Sequence, residues 1–412
     1  MNKEQSISFD HTEYAFAYKS DKELQQAHLM FSLMGSPLVI KLGSNLTPWA
    51  IKWKLPFVKT IIRNTIFNQF VGGESLQETI PVVKKLENYK VNVILDYGVE
   101  GGEGEISFDH STEEFIRVID FASQQKNIPY ISIKITGISR FGLLEKINGM
   151  MLNADAVPPT ERLNQALAKL NDQEKTEWEK VKNRLTKICK TAHQQKVSVL
   201  IDAEESWIQE PVDALATLMM MEYNKNENIV YNTIQLYRHD RLVFLKESSD
   251  FAKLHHFILG AKLVRGAYME KERARAAMNG YVSPIQTSKE NSDKDYNEAI
   301  AFCIDHIDTI ATIIASHNEY SNLLASKLIS EKGITSQHPH IHFSQLYGMS
   351  DNITFNLAKC GFSVSKYLPF GPIKDVIPYL MRRAQENSSV SGQTGRELGL
   401  IKKELFRRKS RK

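Results

Sequence analysis

No apolar run reaches the about 18 residues that a membrane-spanning helix needs, so nothing in this chain of 412 residues is expected to cross a bilayer. Cysteine is scarce. Cys189, Cys303 and Cys360 lie far apart without metal-type spacing, which argues for three reduced thiols in a reducing compartment. The first 25 residues lack the composition of a targeting segment and carry Glu4, Asp10, Glu13, Asp21 and Glu23, so neither a secretory signal nor a mitochondrial presequence is expected. Gly98 to Gly104 is glycine-dense, yet it has no dinucleotide fingerprint and no Walker lysine; its glutamates would repel a phosphate, and it reads as a strand-to-helix turn. No Ser/His/Asp order with a strained glycine turn appears, so nucleophilic hydrolysis has no support. Of His338, His340 and His342 only the last two share a strand face, and no cysteine or carboxylate cluster accompanies them, so no metal is expected. Internal repeats and low-complexity segments are missing too.

What is present is the composition of a globular protein, 42% hydrophobic and 24% charged, long enough for one large domain of roughly 250–300 residues plus an appendage. The net charge of +4 is not a property of the whole: residues 402–412 hold seven Lys or Arg and one Glu, so everything before them sums to −2. A basic tail of this kind is either a solvated terminus or a contact for an anionic membrane surface or nucleic acid. No aromatic–basic interleaving or known module supports nucleic acid, which is not expected as a partner.

Residues 1–89 read as a helical region. Ser20-Asp-Lys-Glu23 has the form of a capping box, and Leu46 to Phe70 forms a basic amphipathic stretch that either packs on a neighbour or lies on a membrane. Residues 90–392 change to short β-branched runs separated by helical stretches: 92–96, 130–134, 197–202, 231–235, 260–265, 312–317, 340–345 and 364–367. Eight such runs alternating with helices predict an α/β fold, a (β/α)8 barrel, with a helical insertion over about 140–192 and a basic tail over 393–412. Nearly every run finishes in a polar or charged residue: Asp96, Lys134, Asp202, Gln235, Arg265, His317, Gln345 and Tyr367. In such barrels the active site gathers at those strand ends. Farther on, Tyr379, Arg382, Arg383 and Glu386 fall on one face of a helix. Two readings fit that face, a solvated salt-bridged surface or a bidentate clamp for a small carboxylate.

Five segments together carry a resemblance: KLVRGAY at 262–268, IDAEE at 201–205, the His317-Asn318 pair, KYLPFGP at 366–372 and YLMRRAQEN at 379–387. They resemble the proline dehydrogenase (proline oxidase) family over roughly residues 65–392, with Phe70 to Glu74 and Ile94 to Gly98 pointing to its single-function FAD-dependent branch; the length is expected to leave no room for a fused aldehyde dehydrogenase module. The resemblance implies a (β/α)8 flavoenzyme that oxidises L-proline to Δ1-pyrroline-5-carboxylate, passing hydride to flavin N5 and electrons on to a quinone. It implies FAD contacts at Lys134, Gln235, Lys262, Arg265, Gly266, His317 and Asn318. For the substrate it implies Arg382 and Arg383 on the carboxylate, Glu386 orienting the arginines or Lys134, and Tyr268, Leu346, Tyr367 and Tyr379 around the ring, with Asp202 completing the pocket. Two departures stand out, since Lys262 occupies a position where fused bacterial members have Arg, and Met269 one where they have Trp. The alternatives are a hydroxyproline dehydrogenase of the same family and a Schiff-base aldolase using Lys134 or Lys262. A cytoplasmic protein held peripherally on the inner membrane face is the expected location.

Overall fold

The computed structural model of the chain describes residues 7–34, 60, 62–98, 102–152, 158–389 and 393–411, without the side chains of 384–389 and 393–394. Eight strands alternate with helices: β1 (Asn92–Tyr97), β2 (Tyr130–Ile133), β3 (Ser198–Ile201), β4 (Val230–Gln235), β5 (Leu259–Val264), β6 (Ile310–Ala315), β7 (Ile341–Leu346) and β8 (Val364–Phe370). They close into a parallel barrel in sequence order. Each run read from the sequence is a strand. The reason is burial on both faces of a parallel strand: β2 and β4 are buried from end to end, and the polar residues of β4 are hydrogen-bonded there, Asn232 to Asp213 and Thr233 to the Ile201 carbonyl. The chain divides into two compact units, Glu100–Phe343 and Met1–Val99 with Ser344–Lys412.

In the first of these, the connection from β2 to β3 holds three helices, Phe141–Leu152, Pro159–Ala168 and Asp172–Gln195. Pro159 opens the second, and a reciprocal capping box between Asn171 and Glu174 starts the third. The helix Phe141–Leu152 turns Leu143, Leu144, Ile147 and Met151 inward on one face.

The other unit has its own core. Phe16, Leu24, Ala27 and Phe31 from the N-terminal helices pack with Ile62, Phe67, Phe70, Val376, Leu380, Leu400 and Ile401. The Ser20 box is formed, with Glu23 Oε2 accepting from Ser20 N at 2.7 Å and Ser20 Oγ from Glu23 N at 3.2 Å. Of the amphipathic stretch 46–70, residues 46–59 and 61 lie outside the described residues. Its C-terminal end turns Ile62, Phe67 and Phe70 inward, and Arg63 pairs with Glu74 and Glu78. The expected basic tail is a helix, Gln393–Lys409. Its charge run hides an apolar face of Leu400 and Ile401 and a fully buried Glu404, which accepts from both Arg407 and Arg408 at 2.7 Å. Arg408 then reaches Asp21 and the carbonyls of Lys19 and Phe16. Basic residues within hydrogen-bonding reach of a buried carboxylate dock a helix where free ones would solvate it.

Candidate active site

In the unit Glu100–Phe343, three strand ends build one charged cluster. Lys134 follows β2 in extended conformation, just before the short turn Ile135–Gly137. Asp202 follows β3 and accepts from Ser132 Oγ at 2.6 Å and from the buried ammonium of Lys262 on β5. Burial opposes ionisation of Asp202, but Lys262 and Lys134 outweigh it and hold its carboxyl below the usual range. Two residues on, Glu204 is buried and accepts from Thr136 Oγ1 at 2.9 and 2.8 Å. Burial pushes its carboxyl up to about 7, against the pull of Lys134 and Thr136. Two carboxyl groups that follow the same strand therefore differ in character, one held ionised by lysines and the other poised near neutrality.

Gln235 ends β4. Its Nε2 donates to Glu204 O at 2.9 Å, while its Oε1 is buried with no partner among the described residues. Gly266 follows β5 with φ +142°, and a Cβ there would lie 2.3 Å from the Tyr237 ring, so the loop admits only glycine. Arg265 is spread over three partners: Nε on Asp293 at 2.7 Å, Nη1 on Ser316 Oγ at 2.9 Å and Nη2 on Ser321 Oγ at 3.1 Å, with its plane 4.3 Å from the Tyr296 centroid. Its first duty is thus to join the ends of β5 and β6. Asn318 caps the helix Glu319–Glu331 through Oδ1 on Ser321 N at 3.0 Å, with half-buried His317 before it. Tyr268 is buried at the start of the helix Met269–Asn279, under the Lys271 ammonium.

The second unit carries the remaining candidates. Tyr367 is the one residue of β8 that is not fully buried, and Leu346 at the end of β7 is half-buried. The helix Ile373–Ser389 presents Tyr379, Arg382 and Arg383. Tyr379 and Arg383 are buried and Arg382 half-buried, which rules out a freely solvated face. Glu386 lies on the same helix, and its side chain is outside the described residues. Sequence reasoning missed Glu204 and Lys366. Glu204 sits inside a quoted motif, and Lys366 is a lysine in a strand whose partner, Asp351, only the fold brings to it at 2.9 Å.

The sequence model of the family described as proline dehydrogenase matches residues 79–396. The mitochondrial proline dehydrogenase 1 of Dictyostelium discoideum is 34% identical over 375 residues, an overlap of 84% of this chain and 65% of that protein. The hydroxyproline dehydrogenase of Xenopus laevis is 30% identical, over 95% of this chain and 88% of its own length. Among solved structures, proline utilization A of Bdellovibrio bacteriovorus, inactivated by N-propargylglycine, superposes with a TM-score of 0.69 at 19% identity, over 92% of this chain and 38% of that one. At that identity the likeness supports the fold.

Proposed function

The chain belongs to the proline dehydrogenase family, and we propose that it oxidises L-proline to Δ1-pyrroline-5-carboxylate with FAD as resident cofactor and a quinone as the onward electron acceptor. The observation that carries this reading is the set of strand ends β3 to β5: an Asp202–Lys262 pair and a Gln235 amide whose buried acceptor has no partner among the described residues. A heteroaromatic ring with N–H donors and carbonyl acceptors on one edge fits such a set, since it satisfies the orphaned oxygen and meets a fixed cation. Lys134, Gln235, Lys262, Arg265, Gly266, His317 and Asn318 would hold the flavin. When bound, FAD supplies the acceptor for the hydride leaving the ring carbon next to nitrogen.

The chain's own residues supply binding and field. Arg382 and Arg383 take the proline carboxylate with their planar forks, and Glu386 orients them. Leu346, Tyr367 and Tyr379, all of one unit, would line the ring and exclude water. Lys134 adds positive charge, and Asp202 holds Lys262 in place. No general base is required where the amine of proline binds neutral. The exposed cations of the C-terminal helix would rest on the inner membrane face; no helix among the described residues is long and apolar enough to cross a membrane.

The test is the absorption spectrum of the purified protein. A flavin band that bleaches on anaerobic addition of L-proline, with the pyrroline product trapped, supports the reading. A colourless protein that borohydride links to a carbonyl substrate would replace it with a Schiff-base aldolase; against that rival, Lys262 already donates to Asp202. The Xenopus relative named for hydroxyproline favours a second reading, hydroxyproline as substrate. The ratio of kcat/KM for the two imino acids decides between them.

A further inference from the structure

Lys366 lies beside Tyr367 on β8 and is completely buried. An ammonium has three donors, and three acceptors surround this one: Asp351 Oδ1 at 2.9 Å, Met349 O at 2.5 Å and, more distantly, Leu346 O at 3.5 Å. Two of the three belong to the turn that leaves β7, residues 346–350. That turn is strained, with Gly348 at φ +78° and Ser350 at φ +49°. A Cβ on Gly348 would lie 2.0 Å from the Gln69 carbonyl oxygen. Other parts of the same unit hold the turn as well. Gln69 Nε2 donates to Gly348 O at 2.8 Å, Glu397 of the C-terminal helix accepts from Ser350 N, and Tyr347 N donates to Tyr367 O at 2.9 Å.

A lysine buried to this degree costs free energy that its partners must offset, and burial lowers its basicity while Asp351 restores part of it. Asp351 is anchored in turn by Tyr18, whose hydroxyl donates to Oδ2 at 2.7 Å, with Lys19 at 3.7 Å. The residues on the two sides of this arrangement, Leu346 and Tyr367, are those assigned to the substrate ring. We propose that Lys366 is a positioning residue for the substrate wall: seated on Asp351, it clamps the strained turn after β7 and thereby fixes Leu346. This rests on the proline dehydrogenase reading for the identity of the substrate, but not for the clamp itself.

Lys366→Met alone strands a buried carboxylate and endangers folding, so the decisive protein is Lys366→Met/Asp351→Asn, which removes both charges. Three of the four amides from 347 to 350 donate within the structure, so hydrogen exchange reads the clamp directly, without substrate. The double variant is expected to exchange faster at 347–350 than the wild type, to keep its flavin, and to show a KM for proline raised about 10-fold with a smaller change in kcat. Glu397→Ala, which cuts the tie from the other side, is expected to shift both readouts in the same direction, and it decides the matter should the double variant not fold. Wild-type exchange at 347–350 together with wild-type KM in whichever variant folds overturns the proposal. A wild-type protein inert toward proline would overturn the substrate reading instead, leaving the exchange data to judge the clamp.

Discussion

The guanidinium of Arg383 lies over the ring of Tyr379, 5.1 Å from its centroid, one turn further along the same helix. Stacking of this kind presents the fork in a fixed plane, where an ammonium would only supply a point charge. Arg383→Lys is therefore expected to raise the KM for proline roughly 10- to 100-fold, by loss of a charge-assisted bidentate pair of about 1.5–3 kcal/mol, with flavin content unchanged. Steady-state kinetics beside the visible spectrum check this. Unaltered constants would remove the carboxylate assignment.

Tyr367 interrupts an otherwise buried β8, so its side chain keeps one open side. Tyr367→Ser is expected to narrow the preference for proline over trans-4-hydroxyproline, because an apolar wall rejects an added hydroxyl by only about 1–3 kcal/mol. The measurement is kcat/KM for both imino acids with both proteins. An unchanged ratio would place the discriminating contact elsewhere.

The barrel is legible in the sequence because each strand is a short β-branched run with a polar end, and because a parallel strand covered on both faces tolerates little else. The helix carrying Arg382 and Arg383 is legible from its spacing. Relations between distant residues are not. Lys366 looks like any charged residue in KYLPFGP until the fold sets Asp351 against it, and Glu204 looks like its neighbour Glu205 until the fold sets the Thr136 hydroxyl against the one and the Lys271 ammonium against the other. The C-terminal helix reads as a tail because seven cations in eleven residues outweigh Leu400 and Ile401 in any windowed pattern, while Glu404, the residue that docks it, counts there only as a charge.

Glu204 yields a pH prediction. Its carboxyl stands at about 7 in the fold against an ordinary 4.5, raised by burial. Between those values the folded protein keeps a proton that the unfolded chain has released, so this group's contribution to stability falls as pH rises through the window and is constant above it. Glu204→Gln should flatten the dependence of Tm on pH between about 4.5 and 7, by on the order of a few °C. Parallel curves for variant and wild type would show that Glu204 does not titrate there.

Gly266→Ala is expected to destabilise the loop after β5. The added methyl group meets the Tyr237 ring, and the backbone at φ +142° is one that L-residues rarely adopt. A cost of about 1–3 kcal/mol comes from the backbone alone, and because Arg265 and Tyr268 flank this glycine, flavin content should fall with Tm. A variant with full flavin content and unchanged Tm would show that the loop can move aside.

The membrane attachment proposed for the C-terminal helix would use a defined face. Arg407 and Arg408 are engaged by Glu404, and Lys403 donates to Asp10 O, whereas Lys402, Phe406 and Lys409 are exposed at positions i, i+4 and i+7. Phe406 is 74% exposed, an apolar tip between two cations. At about 1 kcal/mol per basic residue near an anionic surface, with the aromatic ring entering the interface, such a face gives weak, reversible and salt-sensitive binding. Deleting 402–412 is a poor test, since it removes Glu404 and frees the helix from its core. Lys402→Glu/Phe406→Ser/Lys409→Glu leaves every described packing contact of Leu400, Ile401 and Glu404 in place. Sedimentation with anionic vesicles at low salt should carry down the wild type and leave this variant in the supernatant, and high salt should release the wild type. If both proteins sediment alike, the helix is not the anchor, and if neither does, the protein reaches its acceptor without this face.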